Sequence, residues 1–582
     1  MIDDTGAQQI LKRMYHCSVR YSYAGVLMIM LNSVLDGMII SHFLGGQAAA
    51  AFGLILPVYS LISLMPTLLR YSVQTRIGEY IGRGDIKAAR HSLFVMMTAG
   101  AGAAAVLFAM LSIMRSATLQ ILTAGADHSA GVLSMASEYM LFHSVSILPI
   151  MLTAVLHPVM QLDGDIRRSP RAVQAAAAVN IAGDLINVLV LHGGMAGMAI
   201  ATDLSCLAEL FILLMHYRRK NCVLRPAWFR NTAYCFSTLF SGGLPFMFRE
   251  LTAFISGILL NRIAFSLAGE TGVSVLCIGS TLWLFLLPAA VAVSSTGTAL
   301  GSIERGESDQ RGINMVLRMG IWYSFIPGIG LAALFFAAAG PMAAFCSGSD
   351  STGMAMTAAF LRYTALALPF TMLCQAAGAH LIVIGKERIS AIVNILEGGA
   401  VLAAMSWILG TGLGISGMWA ARPAAALAVA LINLLIIKTV KKTSGNYEGS
   451  EICEIEKSVH TNQEVIRFSE EVHAFCLRSG MDRRLSCLAA LCVEELACNT
   501  LQWGYDGKKS SGADIRIVYD KDHLTLRFRD SGRVFDPLLY TQQFTVSEKD
   551  PAKNVGLRIV SGLAVDMKYS CVADCNIVLL TI

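Results

Sequence analysis

The sequence predicts an all-α polytopic membrane protein with twelve transmembrane helices in two parallel six-helix repeats, followed by a soluble α/β sandwich domain. Of the 582 residues, 55% are hydrophobic and only 15% are charged, whereas soluble domains carry about 25% charged residues. Short motifs recur in the same order in the two halves of the apolar region. The last part of the chain is polar and mixes helical with strand periodicity. The net charge of +5 is too small to indicate a nucleic acid as partner.

Twelve apolar segments are long enough to cross a bilayer core of about 30 Å as helices. Their approximate limits are 19–41, 48–69, 92–114, 135–160, 172–192, 196–215, 237–264, 274–300, 314–339, 357–383, 389–410 and 415–437. Loops rich in Lys and Arg alternate with loops that hold little charge beyond Arg115. By the positive-inside rule, we expect a multi-pass plasma-membrane protein with both termini in the cytoplasm.

The two halves of the apolar region share motifs at nearly constant spacing. The paired motifs are Gly84-Asp85 with Gly306-Glu307, Gly164 with Gly385, Gly194 to Met198 with Gly414 to Met418, and Val179-Asn180-Ile181 with Val393-Asn394-Ile395. Duplicated transporters of this kind bind substrate between the halves and rock one half against the other. The predicted domains are an amino-terminal lobe at 1–215, a cytoplasmic linker at 216–236, a second lobe at 237–440, a connector at 441–460 and the soluble domain at 461–582.

One acid lies inside the first apolar segment. Asp36 falls within the stretch 21–43, which is otherwise almost wholly apolar. A carboxylate at that depth costs about 2.5–3.5 kcal/mol on insertion scales, and such residues are usually functional. In the fifth segment, Asn180 and Asp184 are four residues apart and therefore share one helix face.

Several stretches resemble the multidrug and toxic compound extrusion (MATE) transporters. They are DGMIISHFLG, YIGRGDIKAARHS, VNIAGDLINVLVLHGGMAGMAIAT and LRYTALALPF. The resemblance covers residues 10–440 and implies a cation site in the amino-terminal half that couples Na⁺ or H⁺ entry to drug export. The family's cation-site positions correspond here to Asp36, Tyr139, Asn180, Asp184 and Thr202.

The residue types at these positions fit either coupling ion. A hard cation such as Na⁺ takes about six carboxylate, amide or hydroxyl oxygens. Alternatively, two neighbouring acids in a medium of low dielectric hold a proton between them, because burial and a like charge both favour the neutral form. A structural polar network between helices is the third interpretation.

The second lobe also contains charged residues within its apolar segments. Glu397 follows Asn394 much as Asp184 follows Asn180, so it is a candidate for the substrate cavity together with Arg362. An internal ion pair of Arg249 or Arg262 with Glu250, or snorkelling at the segment ends, would explain such charges without a substrate.

The polar region after the connector reads as an α/β domain. Apolar residues recur every three or four positions from Val465 to Phe475, and a second helix is predicted over Leu485 to Leu501. Ile515 to Tyr519 and Leu524 to Phe528 alternate as the strands of a hairpin. A helix over 556–564 and two last strands follow.

Three motifs of this domain resemble the histidine-kinase-like (GHKL) ATPases, most closely the anti-sigma-factor serine kinases. They are CVEELACNTLQWGY, RFRDSGRVFDP and NVGLRIVSGL. The resemblance implies ATP with Mg²⁺ as cofactor, Glu495 as general base, Asn499 as the Mg²⁺ ligand, and an ATP lid over 537–553. The implied nucleotide-binding residues are Asn499, Asp530, Gly532, Gly556 and Leu557. Val534, Asn554 and Trp503 depart from the family pattern at positions that close the lid or grip phosphate.

The sequence therefore favours a cation-coupled antiporter that exports small organic, often cationic, compounds and carries a cytosolic nucleotide-binding, serine-kinase-like regulatory domain. Two alternatives stay open. One is a membrane-tethered sensor or anti-sigma-type protein kinase, whose soluble domain acts on an anti-anti-sigma-like protein. The other is a flippase of lipid-linked sugars, which a more cationic cavity would favour.

Overall fold

The computed structural model describes residues 9–122, 130–219, 222–229, 236–347, 351–444, 453–505, 512–520, 523–537 and 555–582. Every statement about the structure concerns these residues. Two helical lobes form the membrane part, and a small α/β domain packs against one end of both lobes.

The first lobe is built from eight helices. They are α1 Gln9–Ile39, α2 Gly46–Ile62, α3 Leu64–Gly82, α4 Ile86–Leu122, α5 Ala130–His143, α6 Ile147–Leu162, α7 Arg168–Ile186 and α8 Gly194–Leu214. Helices α1 and α7 each end in a π-helical turn, Ile40–Leu44 and Asn187–Leu191. Gly45 reverses the chain after the first of these turns with a φ of 85°, which side chains other than glycine rarely adopt.

The second lobe repeats this arrangement. Its helices are α9 Phe236–Phe240, α10 Leu244–Trp283, α11 Leu287–Gly306, α12 Gln310–Ser347, α13 Ser351–Val383, α14 Glu387–Ile395 and α15 Val401–Ser444. Two of them contain a chain reversal: α10 is interrupted at Ala268 and Gly269, and α15 at Gly414. A π-helical turn at Leu396–Ala400 joins α14 to α15; unlike the turn after α7, it lies well before the reversal that leads to the next crossing, at Gly414.

Ten helical stretches among the described residues are long and apolar enough to cross a membrane. The stretch Glu387–Val440 counts once, although Gly414 divides it into two crossings. Helix α11 is not among the ten because it is rich in Ser, Thr and Gly, yet most of its residues are buried between other helices. A helix enclosed by protein does not need an apolar surface for lipid. When Glu387–Val440 is divided into two crossings and α11 is added, the ten stretches become the twelve predicted membrane helices.

The backbone confirms two of the motif pairs that relate the halves. Gly164 and Gly385 follow equivalent helices, and Gly194 and Gly414 precede equivalent helices. All four residues have φ angles between 57° and 77°. Each motif marks a turn that requires a left-handed residue, which explains why glycine recurs there.

The predicted pairing of Gly84-Asp85 with Gly306-Glu307 is wrong by two residues. Gly84, with a φ of 69°, is equivalent to Ser308, with a φ of 54°. The following residues, Asp85 and Asp309, each accept a hydrogen bond from the backbone N–H three residues later, at 2.9 Å and 2.7 Å. The equivalent motif is therefore Ser308-Asp309, which lacks the glycine that the sequence comparison relied on.

The two lobes meet at the end of the membrane part that carries the basic loops. We call this end the basic face; it consists of the interhelical loops 83–85, 163–167, 307–309 and 384–386. Helices α3 and α11 cross here at the equivalent residues Gly82 and Gly306. A Cβ atom on Gly82 would collide with the carbonyl oxygen of Ile303, and one on Gly306 with that of Glu79. Because glycine has no side chain, α3 and α11 can touch at these two residues, which allows the lobes to close at the basic face.

The C-terminal domain is a two-layer sandwich. Its strands are β1 Cys453–Val459, β2 Ala513–Asp520, β3 His523–Asp530, β4 Asp566–Val572 and β5 Cys575–Thr581, in the antiparallel order β1-β2-β3-β5-β4. The helices α16 Asn462–Arg478, α17 Arg483–Trp503 and α18 Val555–Leu563 complete the domain. The predicted hairpin, helices and last two strands are confirmed. Strand β1 was missed, because it falls inside the predicted connector 441–460.

Alternation along the strands divides the sheet into two faces. Ile515, Ile517 and Leu526 belong to one core with Phe468 of α16 and Val493 of α17. The residues between them in the strands point to the opposite face, which is polar. That second face is also buried, because the basic face of the membrane part covers it.

The close contact of α3 with α11 at Gly82 and Gly306 predicts that a larger residue at Gly306 lowers the thermal stability of the protein. Gly306→Ala should lower the melting temperature of the detergent-solubilised protein by several degrees, since forcing an extra methyl group into a packed contact typically costs about 1–3 kcal/mol. Gly102→Ala is the matched control, because nothing lies within 4 Å of the added carbon. Equal melting temperatures for the two variants would show that the lobes do not close through Gly306.

Candidate functional site

The five predicted cation-site residues converge inside the first lobe. Asp36 lies near the end of α1, Tyr139 on α5, Asn180 and Asp184 on α7, and Thr202 on α8. Asn180 and Asp184 are completely buried, and Tyr139 is nearly so. The i, i+4 spacing in α7 directs both buried side chains to the same side, as predicted.

The central feature is a pair of facing carboxyl groups. Asp36 and Asp184 lie within hydrogen-bond reach of each other. Both oxygens of Asp184, and one oxygen of Asp36, are buried without any hydrogen-bond donor from the described residues. Two ionised carboxylates this close together in a buried site repel each other strongly, so the arrangement favours a proton or a metal cation between them.

Amide and hydroxyl groups surround the carboxyl pair. Asn180 donates through Nδ2 to Oγ1 of Thr202 at 3.4 Å, and Tyr139 hydrogen-bonds the same hydroxyl. Asn32, which sequence reasoning missed, donates through Nδ2 to Oδ1 of Asn180 at 2.7 Å and to Asp36 at 3.4 Å. Its spacing of four residues from Asp36 could have identified it. The cluster therefore offers carboxylate, amide and hydroxyl oxygens to one small cation.

A second buried polar group adjoins this cluster and was also missed. Asp203 follows Thr202 on α8, and its Oδ1 lies 3.7 Å from Nδ1 of His143 at the end of α5. The His143 ring packs against the rings of Tyr59 and Tyr139, with centroid separations of 4.6 Å and 5.4 Å. An Asp and a His within apolar segments were visible in the sequence, but their spacing does not reveal that they meet.

The candidate cavity residues of the second lobe are not brought together. Glu397 accepts hydrogen bonds from Nε2 of Gln375 at 3.1 and 3.2 Å and lies 4.0 Å from Arg249. Arg249 also pairs with Glu250 at 2.6 Å, which is the internal ion pair considered from the sequence. Arg362 is exposed and lies over the ring of Phe336 instead.

Two groups of potential metal ligands occur among the described residues. Asp163, His216 and Cys222 form one, but Asp163 already accepts hydrogen bonds from His216 at 2.8 Å and from Cys222 at 3.2 Å. The other group, three acids of the α11–α12 junction, is neutralised by arginines of the C-terminal domain. Neither group needs a metal ion to satisfy its charges.

The implied nucleotide site lies between α17, the end of β3 and the start of α18. Asp530 accepts hydrogen bonds from the backbone N–H of Gly532 at 2.8 Å and from Asn576 at 2.9 Å. Burial raises the pKa of Asp530, although these two donors act in the opposite direction. Asn576 is a supporting residue that the motif comparison did not identify.

Glu495 of α17 faces the first turn of α18. A Cβ on Gly556 would overlap the carboxyl group of Glu495, so this helix start closely approaches the implied general base. Asn499 donates through Nδ2 to the carbonyl of Glu495 at 2.7 Å, and Leu557 is buried in the core. Val534 is exposed. The lid over 537–553 and Asn554 lie outside the described residues, except for residue 537.

The C-terminal domain docks on the second lobe through a buried charge cluster, which we call the arginine cluster. Its members are Arg516, Arg527, Arg529, Glu304, Glu307 and Asp309. Their side chains are at most 5% exposed. Arg529 contacts Glu304 at 2.6 Å, and Arg527 contacts Asp309 at 2.8 Å. Burial acts to raise the pKa of Asp309, but the guanidinium groups of Arg527 and Arg516 outweigh it and hold that pKa below the ordinary value.

The same domain docks on the first lobe through the turn between β4 and β5. Ala573 donates its N–H to the carbonyl of Gln161 at 3.1 Å, and Asp574 pairs with Arg167 at 3.1 Å. Cys571 lies directly against Gly164, where a larger residue would not fit. Both lobes are therefore linked through one domain.

Helix α1 also contacts the C-terminal domain at its first turn. The N–H of Ile10 donates to Asp514 at 3.0 Å, and Arg13 donates to Oγ of Ser531 at 2.7 Å. Ser531 lies between the nucleotide-site residues Asp530 and Gly532. Helix α1 thus extends from the implied nucleotide site at one end to Asp36 at the other.

Comparisons with known proteins identify both parts of the chain. The MatE family model matches residues 22–186 and 245–408, and the model of the histidine kinase-like ATPase domain matches residues 460–582. Protein DETOXIFICATION 51 of Arabidopsis thaliana is 24% identical over an alignment of 335 positions that covers 53% of this chain. The match spans only 59% of that relative's length.

Solved structures share the fold of the membrane part. An outward-facing multidrug resistance MATE family transporter of the MOP superfamily superposes with a TM-score of 0.67 at 20% identity, covering 76% of this chain and 100% of its own. A mutant of the Vibrio cholerae MATE transporter VcmN gives 0.68 at 16% identity, covering 75% and 98%. A MOP superfamily transporter from Pyrococcus furiosus, described as having a binding pocket of reversed polarity, gives 0.68 at 20% identity, covering 76% and 100%.

Proposed function

We propose that this chain, which belongs to the MatE family, exports small organic compounds in exchange for Na⁺ or H⁺ and adjusts that exchange through its histidine kinase-like ATPase domain. The observation that supports coupling is the apposition of Asp36 and Asp184, because three of their four carboxyl oxygens lack hydrogen-bond donors among the described residues. A proton shared by the carboxyl groups, or one Na⁺ between them, would neutralise the site. Asn180, Thr202 and Tyr139 would then supply the remaining oxygens or hold the carboxyl groups in place.

Occupancy of this site would couple to a movement of α1. Asp36 is only half-buried, whereas Asp184 is completely buried. Loss of the cation leaves two like charges in contact, so α1 must move away from α7 or take up another cation. The π-helical turn at Ile40–Leu44, which follows the end of α1 at Ile39, provides an irregular segment close to Asp36 where such a movement can occur. A bistable helix of this kind converts the charge of a site into a change of access.

We further propose that the basic face lies in the cytosol and that the C-terminal domain controls its opening. Alternating access requires the two lobes to separate at this face. The domain is linked to the second lobe by the arginine cluster and to the first lobe by Gln161 and Arg167. Separation must therefore break one set of contacts. Nucleotide binding beside Ser531 would act on the adjacent contact with Arg13.

The coupling proposal predicts that Asp36→Asn abolishes gradient-driven transport. The amide cannot hold a proton or contribute a negative charge, so an imposed Na⁺ or H⁺ gradient should no longer drive efflux from proteoliposomes. Glu138→Gln is the control, because it removes an exposed acid next to Tyr139 from the same lobe. Normal gradient-driven transport by Asp36→Asn would refute the coupling role.

The nucleotide proposal predicts saturable binding of ATP with Mg²⁺ to the full-length protein. Asp530→Asn should weaken it about tenfold or more, since a hydrogen bond to a charged group contributes about 1.5–3 kcal/mol. Because burial raises the pKa of Asp530, binding should weaken at a less acidic pH than the usual aspartate pKa of about 3.9 implies. Glu471→Gln, which removes a surface ion pair with Lys457 in the same domain, should bind normally. Calorimetry that detects no binding by the unmodified protein would exclude this part of the proposal.

The control proposal predicts that weakening the docking contacts opens the basic face. Two variants should each add longer distances between nitroxide labels introduced at positions 87 and 310. One is Arg529→Gln and the other is the double variant Arg13→Gln/Arg167→Gln. Lys87 and Gln310 are exposed residues at the starts of equivalent helices, α4 and α12. The second variant changes only exposed side chains and should fold normally. Lys457→Gln, which breaks a pair within the domain, should leave the distances unchanged. The same distance distribution in all four proteins would contradict control by docking.

A further inference from the structure

A cavity lies between the two lobes near the basic face. Helices α1, α3, α6 and α7 form most of its wall, and Val291 and Ser295 of α11 complete it from the second lobe. Part of the wall is apolar, with Val26, Ile29 and Val173. The cavity therefore lies on the surface along which the lobes must slide or separate during transport.

The wall of this cavity carries an unpaired positive charge. Arg70 of α3 lines it and is half-buried. Neither a hydrogen bond nor an ion pair joins Arg70 to another residue in the part of the chain that the structure describes, and no lining residue is acidic. A guanidinium group is always charged and has five N–H donors, so a partly buried one without an acceptor is costly.

A second donor in the cavity wall also lacks a partner. Gln161 is 5% exposed, and its Nε2 has no hydrogen-bond acceptor among the described residues. By contrast, the other nitrogen-bearing side chains of the wall are engaged. Gln74 donates to Ser295, and the ring nitrogens of His157 contact Ser169 and Glu209, each at 2.8 Å. Arg70 and Gln161 therefore offer open donors to the cavity, and Oε1 of Gln74 is the one buried acceptor of the described wall that lacks a donor.

We infer that this cavity binds the anionic group of the transported compound, a carboxylate or a phosphate, with the apolar wall receiving the rest of the molecule. Arg70 would supply the charge and paired N–H donors that match such a group, and Gln161 a further N–H donor. The inference rests on the proposed exporter function and gives its substrate an anionic rather than a cationic head. A soluble organic anion and an anionic lipid would offer the same chemistry.

Gln161 connects this site to the C-terminal domain. While the side chain of Gln161 faces the cavity, its backbone carbonyl accepts the N–H of Ala573 at 3.1 Å. An anion hydrogen-bonded to the side chain of Gln161 would therefore bind the same residue whose backbone carbonyl holds the C-terminal domain. The arrangement places substrate recognition and docking on the same turn of α6.

Equilibrium binding of charge-matched fluorescent probes to the full-length protein in nanodiscs tests this inference. The soluble probes are carboxyfluorescein and rhodamine 123, which share a ring system but differ in charge, and the lipid probe is a short-chain fluorescent phosphatidic acid. We expect an anionic probe to bind and rhodamine 123 not to compete. Arg70→Gln should weaken binding about tenfold or more, Arg70→Lys should retain most of it, and Arg171→Gln, an exposed neighbour outside the cavity, should not change it.

Binding of carboxyfluorescein alone would identify a soluble anion as the ligand, and binding of the lipid probe alone a lipid headgroup; both support the site. Equal binding of the cationic dye, unchanged anion binding in Arg70→Gln, or no binding of either anionic probe would overturn it. The assay uses no gradient, so Asp36→Asn should still bind the probe. Failure of the coupling mechanism is thereby distinguished from failure of the anion site.

Discussion

Two carboxyl groups in contact inside the first lobe are the constraint on which the transport account depends. Asp184 is completely buried, and neither of its oxygens receives a hydrogen bond from the described residues. In water such a pair would be unremarkable, but in a buried site the repulsion and the lost solvation are both large. A proton or a metal cation removes both costs at once. On the proposed mechanism, the helices that carry the acids, α1 and α7, would have one stable spacing when the site is filled and another when it is empty.

The basic face imposes a second constraint, because three bodies share it. Glycine contacts allow α3 and α11 to touch, the arginine cluster fixes the C-terminal domain to the second lobe, and Gln161 and Arg167 hold the domain to the first lobe. Buried ion pairs of this kind often add little net stability compared with apolar residues, yet breaking one partner costs about 3–5 kcal/mol. Their value here is orientation, since Arg529 fits only where Glu304 and Glu307 meet it. On the proposed control mechanism, docking of the domain and closure of the lobes would depend on each other.

The parts of this architecture that follow from local patterns could be predicted from the sequence. The length of the apolar segments predicted the membrane helices, and the spacing of Asn180 and Asp184 predicted that they share one helix face. The alternation of apolar and polar residues predicted the hairpin of the C-terminal domain. Interactions between distant segments could not be predicted in this way. The alternating polar residues of β2 and β3 would ordinarily face water, and only the docked structure shows that they meet acids of the membrane part. Similarly, α11 has a polar composition because protein rather than lipid surrounds it.

Infrared difference spectroscopy of the full-length protein would test the central claim most directly. A shared proton between Asp36 and Asp184 predicts a carbonyl-stretch band of one protonated, buried carboxyl group. The band should disappear when alkali removes the proton or when Na⁺ displaces it, and it should be absent from the double variant Asp36→Asn/Asp184→Asn. A spectrum without a protonated carboxyl band that also does not respond to Na⁺ would contradict the claim that this pair holds the coupling ion.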